Sequence, residues 1–418
     1  GKQVDFVASG TIGNGVTVAL KTDGTVEAVA ETAISQAVGT PVVFEAATVI
    51  YTATAYDSSS NKVVIGYRDD GNSYYGTAVV GTVSGTSISF GTPVVFESAN
   101  TTYLSATFDS NSNKIVFAYD DAANSDSGTA IVGTVSGTSI SFGTAVIFAS
   151  PSIIDVSAAY DSTNNKVVIA YRDLASSSYG KSIVGTVSGT SISFGSAVVF
   201  ESATASNIRA VYDSTASKIV VAFSGTSDYG KAAVGTVSGT SISFGTSVVF
   251  RSAYTDYISL AFDSTANKIV LACRSTNGLA FVGTVSGTSI SFGSAVVFDG
   301  EAHYTSTTYD PNANKTTIAY RDHTNTGYGT AIAGTVSGTS ISFGSEVVFE
   351  TSDSKYISSA YDSSSNKIVI GYSNSGNPTI PGEGTAVVFQ NASTATNNTS
   401  FIGISDAAIS SAASGSVT

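Results

Sequence analysis

Short apolar runs, alternating or continuous and separated by turn sequences, recur through most of the 418-residue chain. One period reads TYLSATF (102–108), KIVFAY (114–119), GTAIVGTVS (128–136) and TSISFGTAVIF (138–148). These runs are rich in Val, Ile, Thr, Phe and Tyr, which favours strands over helices. Asp-Ser-x-x-Asn-Lys separates the first two runs and Ser-Gly the last two, and both are tight-turn sequences. Each period therefore predicts four antiparallel strands.

The period is an internal repeat of about 50 residues. The string GTVSGTSISFG occurs six times unchanged, beginning at Gly81, Gly133, Gly185, Gly235, Gly283 and Gly334. An aromatic residue followed by Asp, with Lys five residues after the Asp, occurs seven times, with the Asp at 57, 109, 161, 213, 263, 310 and 362. Four strands in a repeat of this length are typical of the blade of a β-propeller.

The ends of the repeat array predict closure into a ring. The seventh unit supplies three strands, YISSAYD (356–362), KIVIGY (367–372) and GTAVVF (384–389), but lacks a TSISFG strand. Near the N-terminus, ISQAVGTPVVF (34–44) has the GTPVVF ending of a fourth strand. The three strands that come before this ending in the other units are missing there. We therefore predict an all-β chain with a seven-bladed β-propeller at 34–392, its seventh blade completed by one N-terminal and three C-terminal strands.

Two short flanks adjoin the predicted propeller. Residues 1–33 alternate and contain Asn-Gly and Asp-Gly turns, which predicts a small β-hairpin element. Residues 393–418 are rich in Ser and Ala, and the chain stops in the middle of a pattern. We expect a C-terminal flank there that is truncated.

The repeat separates a uniform face of the ring from a variable one. The Asp-Ser-x-x-Asn-Lys and Ser-Gly turns scarcely change, and both join consecutive antiparallel strands, so they lie on one face, here called the uniform face. The loops between second and third strands and those between blades lie on the opposite, variable face, and they differ in every unit. Binding residues favour loops on a rigid frame. The alternative is that these loops drift once they are free of packing.

The variable face is rich in Tyr, Asp, Asn and Ser, a composition that suits sugar rings and also protein surfaces. The candidate ligand-binding residues are Arg68, Asp69, Tyr75, Tyr103, Arg172, Asp173, Tyr179, Tyr229, Tyr254, Tyr257, Tyr304, Arg321, Asp322 and Tyr328. The three arginines among these candidates are each followed directly by Asp. The alternative interpretation of those three is a local Arg–Asp pair that braces its loop.

Composition excludes several classes of function. The formal charge of −13 repels polyphosphate, so we expect no nucleic-acid partner. One Cys and two His leave little for a disulfide scaffold, a thiolate metal site or histidine chemistry. No apolar run approaches the roughly 18–20 residues of a membrane-spanning helix, so we expect no membrane insertion.

Candidate chemistry at single residues is weak. The Asp of the repeated turn stands without the alternating oxygen ligands of a calcium loop, which favours a capped hairpin. His303 and His323 lie on loops of one unit, where a metal or catalytic role is a minor alternative. Paired carboxylates for glycoside hydrolysis are not singled out. We predict no catalytic residue, no metal site and no cofactor.

The chain resembles a known group of proteins. Its segments VASGTIGNGVTVALKTDGTVEAV and SFIGISDAAISSAASGSVT, and its unit YDSxxNKxVIAYRD…GTAVVGTVSGTSISFGTPVVF, are similar to segments of tail-fibre and virion structural proteins of marine tailed phages. The resemblance implies a location on the virion surface or outside the cell, and a host-surface glycan or envelope protein as partner. It also implies a homo-oligomer, a trimer where the chain is part of a fibre.

Three functions remain open at this point. The first is a non-enzymatic binding module that recognises a glycan or envelope protein through the variable face. The second is a structural or assembly component whose uniform turns pack against neighbouring subunits. The third, an envelope-polysaccharide depolymerase, ranks last because no carboxylate pair stands out.

Overall fold

The computed structural model describes residues 4–13, 16–29, 31–376, 379–396, 401–404 and 414–417. Contacts divide the chain into two units, one formed by Gly1–Gln36 and Asn391–Thr418, the other by Ala37–Gln390. The larger unit consists of β-strands with three single-turn 3-10 helices at Asp70–Asn72, Ala122–Asn124 and Thr226–Asp228. No helix in these described ranges has the length and apolar character needed to cross a bilayer.

The strands are given in chain order. The first thirteen are β1 (Val4–Val7), β2 (Thr17–Leu20), β3 (Val26–Ala28), β4 (Glu31–Ile34), β5 (Ala37–Val38), β6 (Val42–Asp57), β7 (Lys62–Asp69), β8 (Tyr75–Ser84), β9 (Ser87–Phe90), β10 (Val94–Asp109), β11 (Lys114–Asp121), β12 (Ser127–Ser136) and β13 (Ser139–Phe142). The next thirteen are β14 (Val146–Ala149), β15 (Ile153–Asp161), β16 (Lys166–Asp173), β17 (Tyr179–Ser188), β18 (Ser191–Phe194), β19 (Val198–Thr204), β20 (Ser206–Asp213), β21 (Lys218–Ser224), β22 (Tyr229–Ser238), β23 (Ser241–Phe244), β24 (Val248–Tyr254), β25 (Asp256–Asp263) and β26 (Lys268–Arg274). The last thirteen are β27 (Gly278–Ser286), β28 (Ser289–Phe292), β29 (Val296–Asp299), β30 (Ala302–Asp310), β31 (Lys315–Asp322), β32 (Tyr328–Ser337), β33 (Ser340–Phe343), β34 (Val347–Asp362), β35 (Lys367–Asn374), β36 (Glu383–Gln390), β37 (Ser393–Thr396), β38 (Phe401–Ile404) and β39 (Ser414–Val417).

The predicted seven-bladed propeller is confirmed, including its closure. The first three strands of blades 1 to 7 are β6–β8, β10–β12, β15–β17, β20–β22, β25–β27, β30–β32 and β34–β36, paired antiparallel in that order. In the seventh blade β36 pairs with β5 and with the first half of β6, so the outer strand comes from the N-terminal side of the chain. The strand β6 then continues as the inner strand of blade 1.

The core lies between neighbouring blades. Each of seven apolar clusters combines side chains of two adjacent sheets, and one joins Val369 and Val388 of blade 7 to Val63 and Ile65 of blade 1. Because neighbours cover both faces of each sheet, the second strand of each blade is buried on both sides. In β7 the residues from Val63 to Tyr67 are all buried, which explains its nearly continuous apolar sequence.

The uniform face consists of the capped hairpins expected from the sequence. In the first blade Asp57 Oδ1 accepts hydrogen bonds from the backbone N–H groups of Ser59 (2.9 Å) and Ser60 (3.2 Å). The turn ends at Asn61, which has a φ of 53°, a left-handed conformation that Asn tolerates. The equivalent aspartates cap their own turns in the same way, for example Asp263 with Thr265 N at 3.0 Å. The repeated Asp is thus a structural cap.

The outer strand differs from the prediction of one continuous run. In blade 2 the run predicted at 138–148 is two strands, β13 and β14, separated at Gly143. A Cβ at Gly143 would overlap the carbonyl oxygen of Thr190, in the Ser-Gly-Thr turn of the next blade. The strand breaks where this turn packs against it, and the contact explains why Gly ends the repeated GTVSGTSISFG string.

The flanks pair with each other in the smaller unit. Strand β1 pairs with β39, β2 with β3 and β38, and β4 with β37. The predicted hairpin is present at β2–β3, where Asp23 Oδ1 accepts from Thr25 N (2.9 Å) and Gly24 has a φ of 80°. The predicted Asn-Gly turn at 14–15 lies outside the described residues. Ala8, Ile12, Val18 and Val26 form the small core of this unit.

Candidate functional site

Each inner strand contains a β-bulge at the variable face. The pairing of inner and second strand shifts at this point in all seven blades, in blade 1 between Ile50 and Ala53. The residue at the bulge has a positive φ of 45–54° in every blade, and these residues are Tyr51, Tyr103, Asp155, Asn207, Tyr257, Tyr304 and Tyr356. All seven line one cavity, the mouth of the central channel. A left-handed conformation is unusual for Tyr, so the bulge holds these side chains at a cost in backbone energy.

The five tyrosines of this ring form a continuous aromatic arc over blades 5, 6, 7, 1 and 2. Neighbouring ring centroids are 4.9 Å apart for Tyr257 and Tyr304, 5.1 Å for Tyr304 and Tyr356, 5.4 Å for Tyr356 and Tyr51, and 5.2 Å for Tyr51 and Tyr103. The rings are tilted by 38–54°, close to the arrangements that aromatic pairs prefer. Burial and then the neighbouring tyrosines raise the pKa of Tyr51 to about 12, so its hydroxyl stays neutral.

Blades 3 and 4 interrupt the arc with polar groups. Asp155 and Asn207 occupy the two remaining bulge positions, and Arg209 follows two residues later on the inner strand of blade 4. The guanidinium of Arg209 donates to the carbonyl of Ile208 (2.8 Å), and its charge acts on Asp155. Burial raises the pKa of Asp155, and the positive charges of Arg209 and Arg172 offset part of this rise. The mouth is therefore aromatic on one side and charged on the other.

Two cavities follow each other along the channel, and Arg209 is among the residues that line both. The mouth has a volume of about 220 Å³ and the cavity below it about 230 Å³. Arg209 is exposed to solvent in the channel, while desolvation by the surrounding residues lowers the pKa of its guanidinium. The lower cavity is lined by hydroxyl groups, including Ser259, Thr305 and Ser358.

Charged groups contact the arc at one end and near its middle. The Tyr257 ring stacks on His303 at 5.0 Å, and the Arg274 guanidinium lies 5.0 Å from its centroid. Arg274 is held in turn by two hydrogen bonds to Asp256, of 2.8 and 2.5 Å. Near the middle of the arc, Arg68 lies over Tyr51 at 5.7 Å. Cations over aromatic faces contribute about 0.5–2 kcal/mol each, so these contacts fix the orientation of the rings.

The structure brings together only part of the predicted site. Tyr103, Tyr257 and Tyr304 belong to the arc. Tyr254 lies beside it, 49% exposed, and donates to Asp256 at 2.8 Å. The other tyrosines begin the third strands of their blades and do not line the channel mouth; they are Tyr75, Tyr179, Tyr229 and Tyr328.

The three predicted aspartates of the variable face cap their own loops. Asp69 accepts from the backbone of Gly71 (2.9 Å), Asp173 from Ser176 (3.0 Å) and Asp322 from Asn325 (3.0 Å). Asp69 and Asp322 are only 7% and 4% exposed. Each of these carboxylates has one oxygen that caps its loop, and none of the three lines the channel mouth.

The alternative of a local Arg–Asp pair describes blade 1, with Asp70 as the partner instead of the adjacent Asp69, but not blades 3 and 6, where the arginines contact other groups. Arg68 forms an ion pair with Asp70 at 2.7 Å, and Arg321 with Asp353 of the next blade at 2.5 Å. Arg172 donates to Ser178 at 3.1 Å. Consecutive residues of a strand point to opposite faces, so an Arg cannot reach the Asp that follows it.

Sequence reasoning missed half of the channel mouth. Tyr51, Tyr356, Asp155, Asn207 and Arg209 were not among the candidates. A signal exists, because every bulge residue lies six positions before the aspartate of the uniform-face turn, as Tyr51 does before Asp57. Comparison of the seven units at that spacing isolates the ring.

Comparisons with known proteins bear on the fold. No family model and no curated protein matches the chain. A chain in the crystal structure of the mitotic checkpoint complex aligns with a TM-score of 0.53 at 9% identity, covering 84% of this chain and 94% of that one. A protein of unknown function from Dyadobacter fermentans DSM 18053 aligns at 0.51 and 9% (86% and 99% covered), and Chaetomium thermophilum Raptor at 0.53 and 9% (86% and 30% covered). Together with the seven blades described above, these likenesses show that the chain folds as a β-propeller.

Proposed function

We propose that the propeller is a non-catalytic binding module that takes the end of a host-envelope glycan into its channel mouth. The aromatic arc beside the Asp155–Asn207–Arg209 gap carries the proposal. Sugar rings have apolar C–H faces that pack on aromatic side chains and hydroxyls that need donors and acceptors, and this mouth offers both. The resemblance to phage tail-fibre and virion proteins supports a setting on a virion or another extracellular surface.

The size of the mouth favours the end of a glycan over its middle. At about 220 Å³ it is smaller than the roughly 300–1,000 Å³ of pockets that enclose a whole drug-sized ligand. A single terminal ring matches this space, while the remaining sugar units would extend over the variable loops. A positive Arg209 below the arc favours terminal rings that carry a carboxylate or sulfate.

The lining of the mouth argues against hydrolysis there. Glycosidases use two carboxyl groups about 5–9.5 Å apart. Among the described residues that line the channel mouth, Asp155 is the single carboxylate. This supports binding without cleavage and disfavours the depolymerase.

The experiment is a binding assay on immobilised envelope polysaccharides from candidate hosts, with the length of each glycan followed over time. We expect retention without shortening, and a loss of about tenfold or more in affinity for Tyr304→Ala and Tyr356→Ala, since each removes one ring surface. Tyr229→Ala is the matched control, because Tyr229 is 38% exposed but does not line the channel mouth.

Three results would count against the proposal. Shortened glycan would indicate an enzyme. Equal losses for the arc variants and the Tyr229 variant would place binding outside the mouth. If the chain is retained on none of the glycans in a broad panel, and exchange of the variable loops leaves its assembly unaffected, the alternative of a structural or assembly component would be favoured.

A further inference from the structure

Three carboxylates, Asp299 at the end of the outer strand of blade 5 and Asp322 and Glu346 of blade 6, converge near the variable face. Oxygen atoms of Asp299, Asp322 and Glu346 all lie within 4.8 Å of one another. Asp299 is 7% exposed and Asp322 4% exposed, whereas Glu346 opens to solvent. Within the described part of the chain, none of the three forms an ion pair. Burial of like charges without a cation is costly, so the cluster calls for a compensating positive charge.

A second observation is independent of the carboxylates. The hydroxyl of Tyr320 is buried and has no hydrogen-bond partner, and Tyr320 is 0% exposed. In three other blades the equivalent tyrosine hydroxyl reaches the residue at the position of Asp299, so the Tyr320 hydroxyl points toward the Asp299 side of the cluster. Thr330, directly opposite Tyr320 in the sheet, is also 0% exposed and its hydroxyl likewise has no partner.

Equivalent tyrosines in other blades show what is different here. Tyr67, Tyr119 and Tyr372 donate to the carboxylates of Glu45, Glu97 and Glu350 at 3.0–3.1 Å. Asp299 stands in the place of these glutamates in the VVF-Glu sequence and is one methylene shorter. With this shorter side chain opposite it, the Tyr320 hydroxyl has no hydrogen-bond partner.

Blades 3 and 4 place a cation at this same position of the fold. The residue opposite the second-strand aromatic is Thr330 in blade 6, but Lys181 in blade 3 and Lys231 in blade 4. Lys181 Nζ lies 2.6 Å from Asp173, the counterpart of Asp322. Lys231 Nζ lies 3.3 Å from Glu201, the counterpart of Asp299.

The residue at the position of Glu346 in blade 4 also contacts this ion pair. This residue is Ser247, which donates to the same Glu201 oxygen at 3.1 Å. In blades 3 and 4 the counterparts of Asp322 and Asp299 each form an ion pair with a lysine. The counterpart of Glu346 contacts the glutamate of one of these pairs. Blade 6 has Thr330 in place of these lysines and carries Glu346 as a further carboxylate.

We propose that Asp299, Asp322 and Glu346, with the Tyr320 and Thr330 hydroxyls, bind one divalent cation, Ca²⁺, between blades 5 and 6. Two oxygens bound to one Ca²⁺ at about 2.3–2.6 Å lie at most about 5 Å apart, which the cluster satisfies. Carboxylate and hydroxyl oxygens are hard ligands of the kind that Ca²⁺ takes, and water can complete the shell on the open side at Glu346.

The test is calorimetric titration of Ca²⁺, and separately Mg²⁺, into the whole chain after treatment with EDTA. We expect one Ca²⁺ per chain, and at least a tenfold loss of affinity in Glu346→Ala and in Thr330→Lys. Both variants should fold. At the position of Glu346, blades 2, 3 and 5 have Ala145, Ala197 and Ala295, and at the position of Thr330, blades 3 and 4 have Lys. Thr330→Lys should also raise the thermal midpoint of the metal-free chain, since its ammonium replaces the cation.

A rival cation site in blade 6 serves as the control. His303 and His323 stack at 4.8 Å near Glu301, but Arg274 Nη1 already lies 2.7 Å from His303 Nε2. The double variant His303→Ala/His323→Ala should bind Ca²⁺ as the wild type does. Absence of binding up to millimolar Ca²⁺ would overturn the proposal. Binding that survives both Glu346→Ala and Thr330→Lys, or that disappears in the double His variant, would do the same.

Discussion

Gly143 packs against the carbonyl oxygen of Thr190 in the next blade so closely that a Cβ would overlap that oxygen. The same relationship joins Gly39 to Thr86, Gly91 to Thr138, Gly195 to Thr240, Gly245 to Thr288 and Gly293 to Thr339. Gly344 is the exception, because it faces blade 7, whose outer strand arrives from the N-terminal side and makes no Ser-Gly-Thr turn. A Cβ there would meet only the Ala333 carbonyl at 3.7 Å.

This difference predicts opposite effects for the same substitution. Gly143→Ala should destabilise the propeller by about 1–3 kcal/mol, because the methyl group must displace the backbone of a neighbouring blade. Gly344→Ala should leave stability unchanged or raise it by about 0.4–1 kcal/mol through the lower entropy of the unfolded chain. Urea unfolding of both variants beside the wild type measures this, and equal losses would mean that the interblade contact is not what constrains the glycine.

The left-handed bulge of the channel mouth predicts a difference between two variants of Tyr304. Tyr304 has a φ of 49°, which Asn adopts readily and a β-branched residue does not. Tyr304→Val and Tyr304→Asn lose the same ring contacts, so their difference reports the backbone alone. We expect the Val variant to be less stable by about 1–2 kcal/mol. Thermal midpoints compare the two, and a Val variant as stable as the Asn variant would contradict the strained bulge.

A buried carboxyl group predicts how stability changes with pH. Thr102 donates to Asp120 Oδ2 at 2.7 Å, while Oδ1 is buried without a partner, and burial raises the pKa of Asp120 to about 6. Asp126 and Asp121 add to the shift. The folded pKa lies above the ordinary 3.8, so the folded state binds the proton more tightly, and this group's contribution to stability grows as pH falls from about 7 to 4. It is lost as pH rises through 6.

Asp120→Asn isolates this contribution. The gain in urea midpoint between pH 7.5 and pH 5, measured in EDTA, should be smaller in the variant than in the wild type. Other carboxylates, Asp299 among them, keep part of the response in both proteins. A variant with the full wild-type response would show that Asp120 does not titrate in this range.

The sequence was sufficient for the architecture because the signals for strands and turns are local and repeated seven times. Even ring closure followed from the lone ending at 34–44. The break in the outer strand could not be predicted, since it depends on a contact between Gly143 and a turn 47 positions later, in another blade.

The site was harder to predict, because residue type alone does not show whether a side chain points into the channel. Tyr51 was not among the candidates, but a bulge in its strand turns it into the channel mouth. Tyr75 lies in a variable segment and was a candidate, but it begins a third strand away from the channel. The acidic cluster joins Asp299 of blade 5 to Asp322 and Glu346 of blade 6, and residues so far apart in the sequence meet only in the folded ring.

The closing strand predicts where the ring opens first. Phe44 in the closing strand and Phe200 in blade 3 are equivalent and both 7% exposed. Phe44 contacts Tyr67 and Phe90 at 5.2 and 5.5 Å, and Phe200 contacts Phe223 and Phe244 at 5.2 and 5.6 Å. Replacing either by Ala should cost about 3–5 kcal/mol in packing.

The two variants should differ in how they open. In blade 3 a two-residue turn joins the outer strand to the third strand, so a loosened outer strand stays close and pairs again. In blade 7 hundreds of residues separate β6 from its partner β36, so Phe44→Ala frees the closing strand without that short tether. Hydrogen exchange of β36 in Phe44→Ala should therefore accelerate more than exchange of β17 in Phe200→Ala. Equal acceleration would mean that the ring opens at any blade with the same ease, and that closure by the N-terminal strand is as secure as a hairpin.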